Sequence, residues 1–316
     1  MKKIITCTFA IFAFAGCSSD NLNTSDQSSK SMSSKEIRLT PIDFKTVGES
    51  HNKVLDNIYD YWFDNKTETK SLEDLSNQKN VFYTSYFNQN KYDKFLLNLV
   101  NNPSFVKIID LNHFEFTNKE ITENSEKSLL KLDKYFSLLE KAVSNSSIKD
   151  INKLENDLYY DSQFNNQDLY YFYHASSVAK HSIVYWYDNN KKWIDLVIDI
   201  NKDKFRTKEN KKTLSSYDKT IKAWPPNRGW GGEVVKKDVS GAIAGAVTAW
   251  WLNAAPAAGQ VAYGTVIGSM SAGNSAMALI EELWPWYSVP VNDKISPMFP
   301  VTIDTQKIVL YEYKYN

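Results

Sequence analysis

Residues 239–280 read VSGAIAGAVTAWWLNAAPAAGQVAYGTVIGSMSAGNSAMALI, without a single charged side chain in a 316-residue protein where 23% of residues are charged. What covers this stretch decides the fold. Pro256, within NAAPAAG, splits it into two arms, because proline and the residue before it disfavour a continuous helix. The first arm spaces Gly241, Gly245 and Ala249 by four. The second does the same with Gly264, Gly268, Ala272 and Ala276. Small residues at that interval put a smooth stripe on each helix and let two backbones approach closely, so the spacing predicts a helical hairpin.

Two settings for such a hairpin follow from the sequence. An arm apolar around its whole circumference suits a buried core helix. As membrane helices the arms would span about 26 Å and about 36 Å, against a hydrocarbon core near 30 Å. Trp230, Trp284 and Trp286 lie at the open end of the hairpin and Trp250 and Trp251 near its tip, where interfacial aromatics would sit. Against insertion, the arms are mostly Ala, Gly, Ser and Thr, and Asn253, Gln260 and Asn274 would need partners in lipid. The glycine spacing resembles the glycine-zipper segments of membrane-active bacteriocin-like peptides, which implies bilayer insertion. A strand, turn and helix is the third arrangement the stretch allows.

The chain begins MKKIITCTFAIFAFAGC. Two lysines precede an apolar run too short for a stop-transfer helix, as in a secretory signal. Its end, Phe14-Ala15-Gly16-Cys17, resembles the lipobox of bacterial lipoproteins, with Phe where Leu is commonest. The resemblance implies cleavage after residue 16, acylation of Cys17 and a bilayer as partner through the acyl chains. Ser18 and Ser19 after the cysteine resemble the sorting signal of outer-membrane lipoproteins of Gram-negative bacteria. Residues 18–35, SSDNLNTSDQSSKSMSSK, are too polar to offset their ordering entropy and read as a flexible tether with a reach of about 24 Å. The chain's two cysteines are Cys7 and Cys17. A chain cleaved after residue 16 keeps only the acylated one, which excludes disulfides and thiolate chemistry.

Lys plus Arg and Asp plus Glu both total 37. Losing Lys2 and Lys3 with the signal leaves a slightly acidic chain, which argues against nucleic acid as a partner. From residue 43 to about 217 the apolar spacing is mostly helical. Phe44, Val47, His51, Val54, Leu55, Ile58 and Trp62 recur at threes and fours and define one face. Further helical arms are expected at 91–100, 126–143, 147–160 and 168–187, with breaks at Asn101-Asn102-Pro103 and at residues 144–147. The segment KAWPPNRGWGG, residues 222–232, marks a boundary. The expected organisation is a signal (1–16), a lipidated tether (17–35), an aromatic-rich helical body (36–221) and a C-terminal region (222–316) ending in one strand around Val309, Tyr311 and Tyr313. The fold class is therefore mainly α.

Chemistry is sparse in the sequence. His174 and His181 share a helix face, but lack the i, i+4 spacing and the third ligand of a metal site, so they read as core or surface histidines. Ser269-Met270-Ser271-Ala272-Gly273 is close to a G-x-S-x-G elbow. The general base of such hydrolases follows the serine, yet none of the four histidines lies beyond His181, so Ser271 lacks a route to activation. Gly229-Trp230-Gly231-Gly232 fits no nucleotide-binding pattern, and no cofactor or metal is expected. Adjacent Glu281 and Glu282 point apart on a helix and do not converge as an acid–base pair. Aromatic runs such as Tyr170 to Tyr173 are expected mainly as core anchors, with stacking on a glycan as the alternative. These features describe an envelope protein that acts through a protein or glycan ligand and not by catalysis, with membrane insertion of the hairpin as the competing role and a serine hydrolase using Ser271 as a remote third.

Overall fold

Several helix ends are set by local side chains or turns that satisfy unpaired backbone groups. The computed structural model describes residues 37–89, 106–110, 113–116, 119–201, 230–252, 268, 271–281 and 283–284. Residues Arg38–Asn316 form one compact unit. Among the described residues the protein is mainly α-helical. A 3-10 turn, Pro41–Phe44, leads into α1 (Lys45–Asp64), followed by α2 (Leu72–Gln89). A short antiparallel pair, β1 (Val106–Asp110) and β2 (His113–Phe116), comes next, in the register Val106 with Phe116 and Ile108 with Phe114. Then come α3 (Lys119–Ser144), α4 (Ile148–Tyr160), α5 (Asn166–Asn201), α6 (Trp230–Leu252) and α7, residues 271–281.

The start of α2 is a reciprocal cap: Asp74 N donates to Ser71 Oγ at 3.1 Å, and Ser71 N to Asp74 Oδ2 at 2.9 Å. At the start of α5 Asn165 and Asp168 do the same, at 3.0 and 2.9 Å. The end of α3 is a Schellman turn, in which Ser147 N donates to Ala142 O and Ser146 N to Val143 O, with Ser146 in the left-handed region at φ 51. This is the break expected at residues 144–147. The α4 C-terminus is closed by Arg38, whose guanidinium donates to the carbonyls of Leu158, Tyr159, Asp161 and Phe164 at 2.8–3.0 Å.

Helix α5, 36 residues long, is the axis of the fold. Every residue from Asp168 to Ala179 is buried, as expected for a helix sheathed on all sides. Around it pack α1, α3, α4 and α6, while β1 lies against α6 and β2 against α3. The face read from the α1 sequence is the buried one, with Phe44, Val47, His51, Val54, Leu55, Ile58 and Trp62 all at 0% exposure. Aromatic rings fill the interior: Trp62 meets Trp193 edge to face at 5.9 Å, and Phe44 meets Tyr170 at 5.6 Å.

Four features depart from the helical spacing read in the sequence. Residues 106–116 contain a strand pair, in keeping with the β-branched and aromatic residues of VKIID and HFEF. Helix α2 had no counterpart among the expected arms, and α5 continues past residue 187 to Asn201. Helix α6 also begins at Trp230, so Gly231 and Gly232 lie in its first turn, although the segment was expected to be non-helical. The expected arm at 91–100, the break at 101–103 and the terminal strand lie outside the described residues.

Candidate functional site

The uncharged stretch is bounded on its N-terminal side by Asp238, and this carboxylate is the centre of the most buried polar cluster described. Asp238 Oδ1 lies 2.7 Å from His51 Nε2 of α1. Its Oδ2 accepts from Ser182 Oγ at 2.5 Å and from Trp186 Nε1 at 3.0 Å, both on α5. His51, Ser182 and Asp238 are at 0% exposure. One aspartate thus ties α6 to α1 and α5.

The hydrogen bonds fix the state of His51. Asn52 Nδ2 donates to the His181 carbonyl at 3.0 Å, so Asn52 presents its oxygen, Oδ1, to His51 Nδ1 at 3.1 Å. Both imidazole nitrogens therefore face acceptors, an arrangement that fits the doubly protonated ring. Burial alone would pull the His51 pKa down. The charge and hydrogen bond of Asp238, with the Asn52 bond, outweigh it, and the pKa is raised above 6.5. Ser182 donates to the aspartate and not to the histidine, so the trio is not wired as a nucleophile and its base. With all three side chains shut away from solvent, the arrangement holds helices together.

His174 is in the opposite state. Its Nδ1 donates to Tyr170 O at 2.8 Å, while Nε2 is buried with no hydrogen-bond partner. The ring lies against Phe44 at 4.8 Å and Tyr170 at 4.2 Å. Burial, only partly offset by the Tyr170 bond, lowers its pKa to about 4. His181 Nδ1 bonds Ser177 O at 2.9 Å. His174 and His181 are each bonded to their own helix, and no group of three metal-ligating side chains occurs among the described residues.

A second buried pair joins α4 to α5. Glu155 accepts from Ser176 Oγ at 2.6 Å and from Lys180 Nζ at 2.8 Å.

The candidate hairpin residues are placed as follows. A Cβ on Gly241 would lie 2.9 Å from Ser271 Cα, so α6 and α7 nearly touch at that point. Gly245 is buried within α6. A Cβ on Gly268 would lie 3.0 Å from Val47 Cγ1 of α1. On α7, Ala272, Ala276, Leu279 and Ile280 are fully buried. Helix α2 holds α7 by a bond from Gly273 N to Tyr83 Oη at 2.7 Å, and Lys79 Nζ reaches Asn274 Oδ1 at 3.3 Å. Ser271 Oγ donates to Gly268 O at 2.6 Å and is buried. Trp250 is half-buried against Tyr170 at 5.2 Å and Tyr171 at 6.3 Å, and Trp284 is buried. Trp230 and Trp251 belong to α6. Cys17, Pro256, Gly264 and Trp286 lie outside the described residues.

No helix among the described residues is long and apolar enough to cross a membrane. Comparison of the chain with protein-family models, curated proteins and solved structures found no match to any of them.

The sequence reading missed Asp238 and Gly48. A Cβ on Gly48 would lie 2.7 Å from Ser177 O, so this glycine permits the close crossing of α1 and α5. His51 carried a signal for Asp238, since a histidine in an otherwise apolar helix face needs a polar partner inside the protein.

Proposed function

We propose that this chain is a lipid-anchored protein of the cell envelope that acts by binding and not by catalysis, with residues 239–280 serving as part of its core. The observation that carries the anchor is the FAGC sequence directly after a secretory h-region, followed by a serine-rich tether. The buried polar groups Asp238, Glu155 and Ser271 are each engaged in contacts between or within helices, which is the expected use of such groups in a structural core. A membrane-inserting hairpin would have to break the Asp238 cluster and lift Ala272, Ala276 and Leu279 from apolar neighbours, at large cost in burial.

The test is metabolic labelling of expressing bacteria with a palmitate analogue, followed by membrane fractionation. The intact chain should carry label and sediment with the envelope, and Cys17→Ser should abolish labelling. An unlabelled, freely released product would refute the anchor.

A further inference from the structure

From the lysine spacing on α3, we infer that its exposed face docks on an anionic lipid surface, an inference that rests on the lipid-anchored reading above. At 3.6 residues per turn, Lys127, Leu130, Lys131, Lys134, Leu138 and Lys141 share an arc of about 100 degrees. All six are exposed, and Leu130 at 70% is among the most exposed large apolar residues described. Among the acidic residues of α3, Glu126, Asp133 and Glu140 fall on the adjoining arc, where Glu140 pairs with Lys236 of α6 at 2.9 Å, while Glu120 and Glu123 of the first turns fall, by the same count, on the basic arc. Leu129, Leu132, Phe136, Leu139 and Val143 form the buried side.

From Glu126 to Lys141 the charges are therefore sorted around the helix and not mixed as solubility alone would allow. Lys127, Lys134 and Lys141 make no ion pair within the described residues. An apolar side chain among lysines is the pattern of a surface that seats on phosphate headgroups and inserts shallowly.

The point where the chain enters the fold supplies a second, independent argument. Arg38, where the tether reaches the compact unit, donates to the Phe164 carbonyl at 2.9 Å. Lys131 Nζ stands 5.8 Å over the ring of that same Phe164 and pairs with Asp168 at 2.7 Å. The compact unit thus begins, at Arg38, beside the basic arc. Tyr160, 82% exposed, follows Tyr159, whose carbonyl also accepts from Arg38. A tether reaching about 24 Å keeps this end of the protein at the bilayer. The occupant is then the anionic leaflet that carries the anchor.

The experiment uses the chain from residue 17 onward with Cys17→Ser, so that acylation plays no part, and vesicles of phosphatidylcholine with or without one quarter phosphatidylglycerol. At 50 mM salt the protein should sediment with the anionic vesicles and not the neutral ones. The triple variant K127Q/K134Q/K141Q, which leaves the Lys131–Asp168 pair intact, should lower partitioning about a hundred-fold, from about 1 kcal/mol per lysine. Circular dichroism should match the parent. A Leu130→Trp reporter should shift its emission to the blue with anionic vesicles only.

Equal binding to neutral vesicles, full binding by a folded triple variant, or no vesicle binding would overturn the inference. Binding to polyglutamate in place of vesicles would overturn it as well and reassign the face to an acidic protein. Vesicle binding by a chain whose Cys17 proves unacylated in cells would leave the α3 face standing and the anchor refuted.

Discussion

His51 and Asp238, 187 residues apart in the chain, meet at 2.7 Å with both side chains fully buried. Removing one member of a buried pair strands the other's charge. Asp238→Leu should therefore lower unfolding free energy by about 3–5 kcal/mol, His51→Leu should also destabilise, and the double variant H51L/D238L should lose much less than the two single changes add up to. Urea titration of the four proteins checks this, and additive losses would contradict the pairing.

The two buried histidines should give stability a dependence on pH from both sides. His51 has a raised folded pKa, so its contribution is full below about 6.5 and is lost as pH rises through the folded value. His174, lowered to about 4, behaves oppositely. The unfolded chain takes up a proton near 6.5 that the folded chain refuses, so stability falls as pH drops from 6.5 towards 4, by on the order of 3 kcal/mol. His174→Phe, which suits the apolar surround of Phe44 and Tyr170, should flatten the acid side, and His51→Gln the alkaline side. Thermal midpoints measured between pH 4 and 9 test both.

The approach of α6 to α7 leaves no room for a side chain at Gly241. Gly241→Ala should cost about 1–3 kcal/mol by overpacking against Ser271, and Gly241→Leu more. A calorimetric midpoint unchanged in Gly241→Leu would contradict that crossing.

Arg38 closes the end of α4 through four carbonyls. Arg38→Ala should destabilise by roughly 2 kcal/mol, and Arg38→Lys should recover less than half, because an ammonium cannot span the fork of acceptors. Hydrogen exchange of the amides at 158–164 should accelerate in both variants.

Much of the helical body was legible because periodicity reports burial. The α1 face from Phe44 to Trp62 and the turn at residues 144–147 are two cases. Helix α2 was not, since Val81, Phe82 and Tyr83 bunch together and only the Ser71 and Asp74 cap announces it. The arm read from the sequence ends at residue 187, just before Asp188-Asn189-Asn190. In the fold Asn189 and Asn190 donate back to Tyr185 O and Tyr187 O, and burial of Trp193, Leu196 and Val197 carries the helix onward. Asp238 was hidden for another reason. As the last of the charges Glu233, Lys236, Lys237 and Asp238 before an uncharged segment, it looks like a solvent boundary, and its partner lies on a different helix. Spacing along one segment cannot show which distant residue completes a buried pair.

The most direct test of the hairpin as core is hydrogen exchange of amides 239–247 and 271–280 in the acylated protein, in buffer and in anionic liposomes loaded with dye. Protection at the level of global unfolding, equal in both settings and without dye release, is the predicted result. Protection that shifts with lipid while the liposomes leak would show that the hairpin leaves the protein for the bilayer.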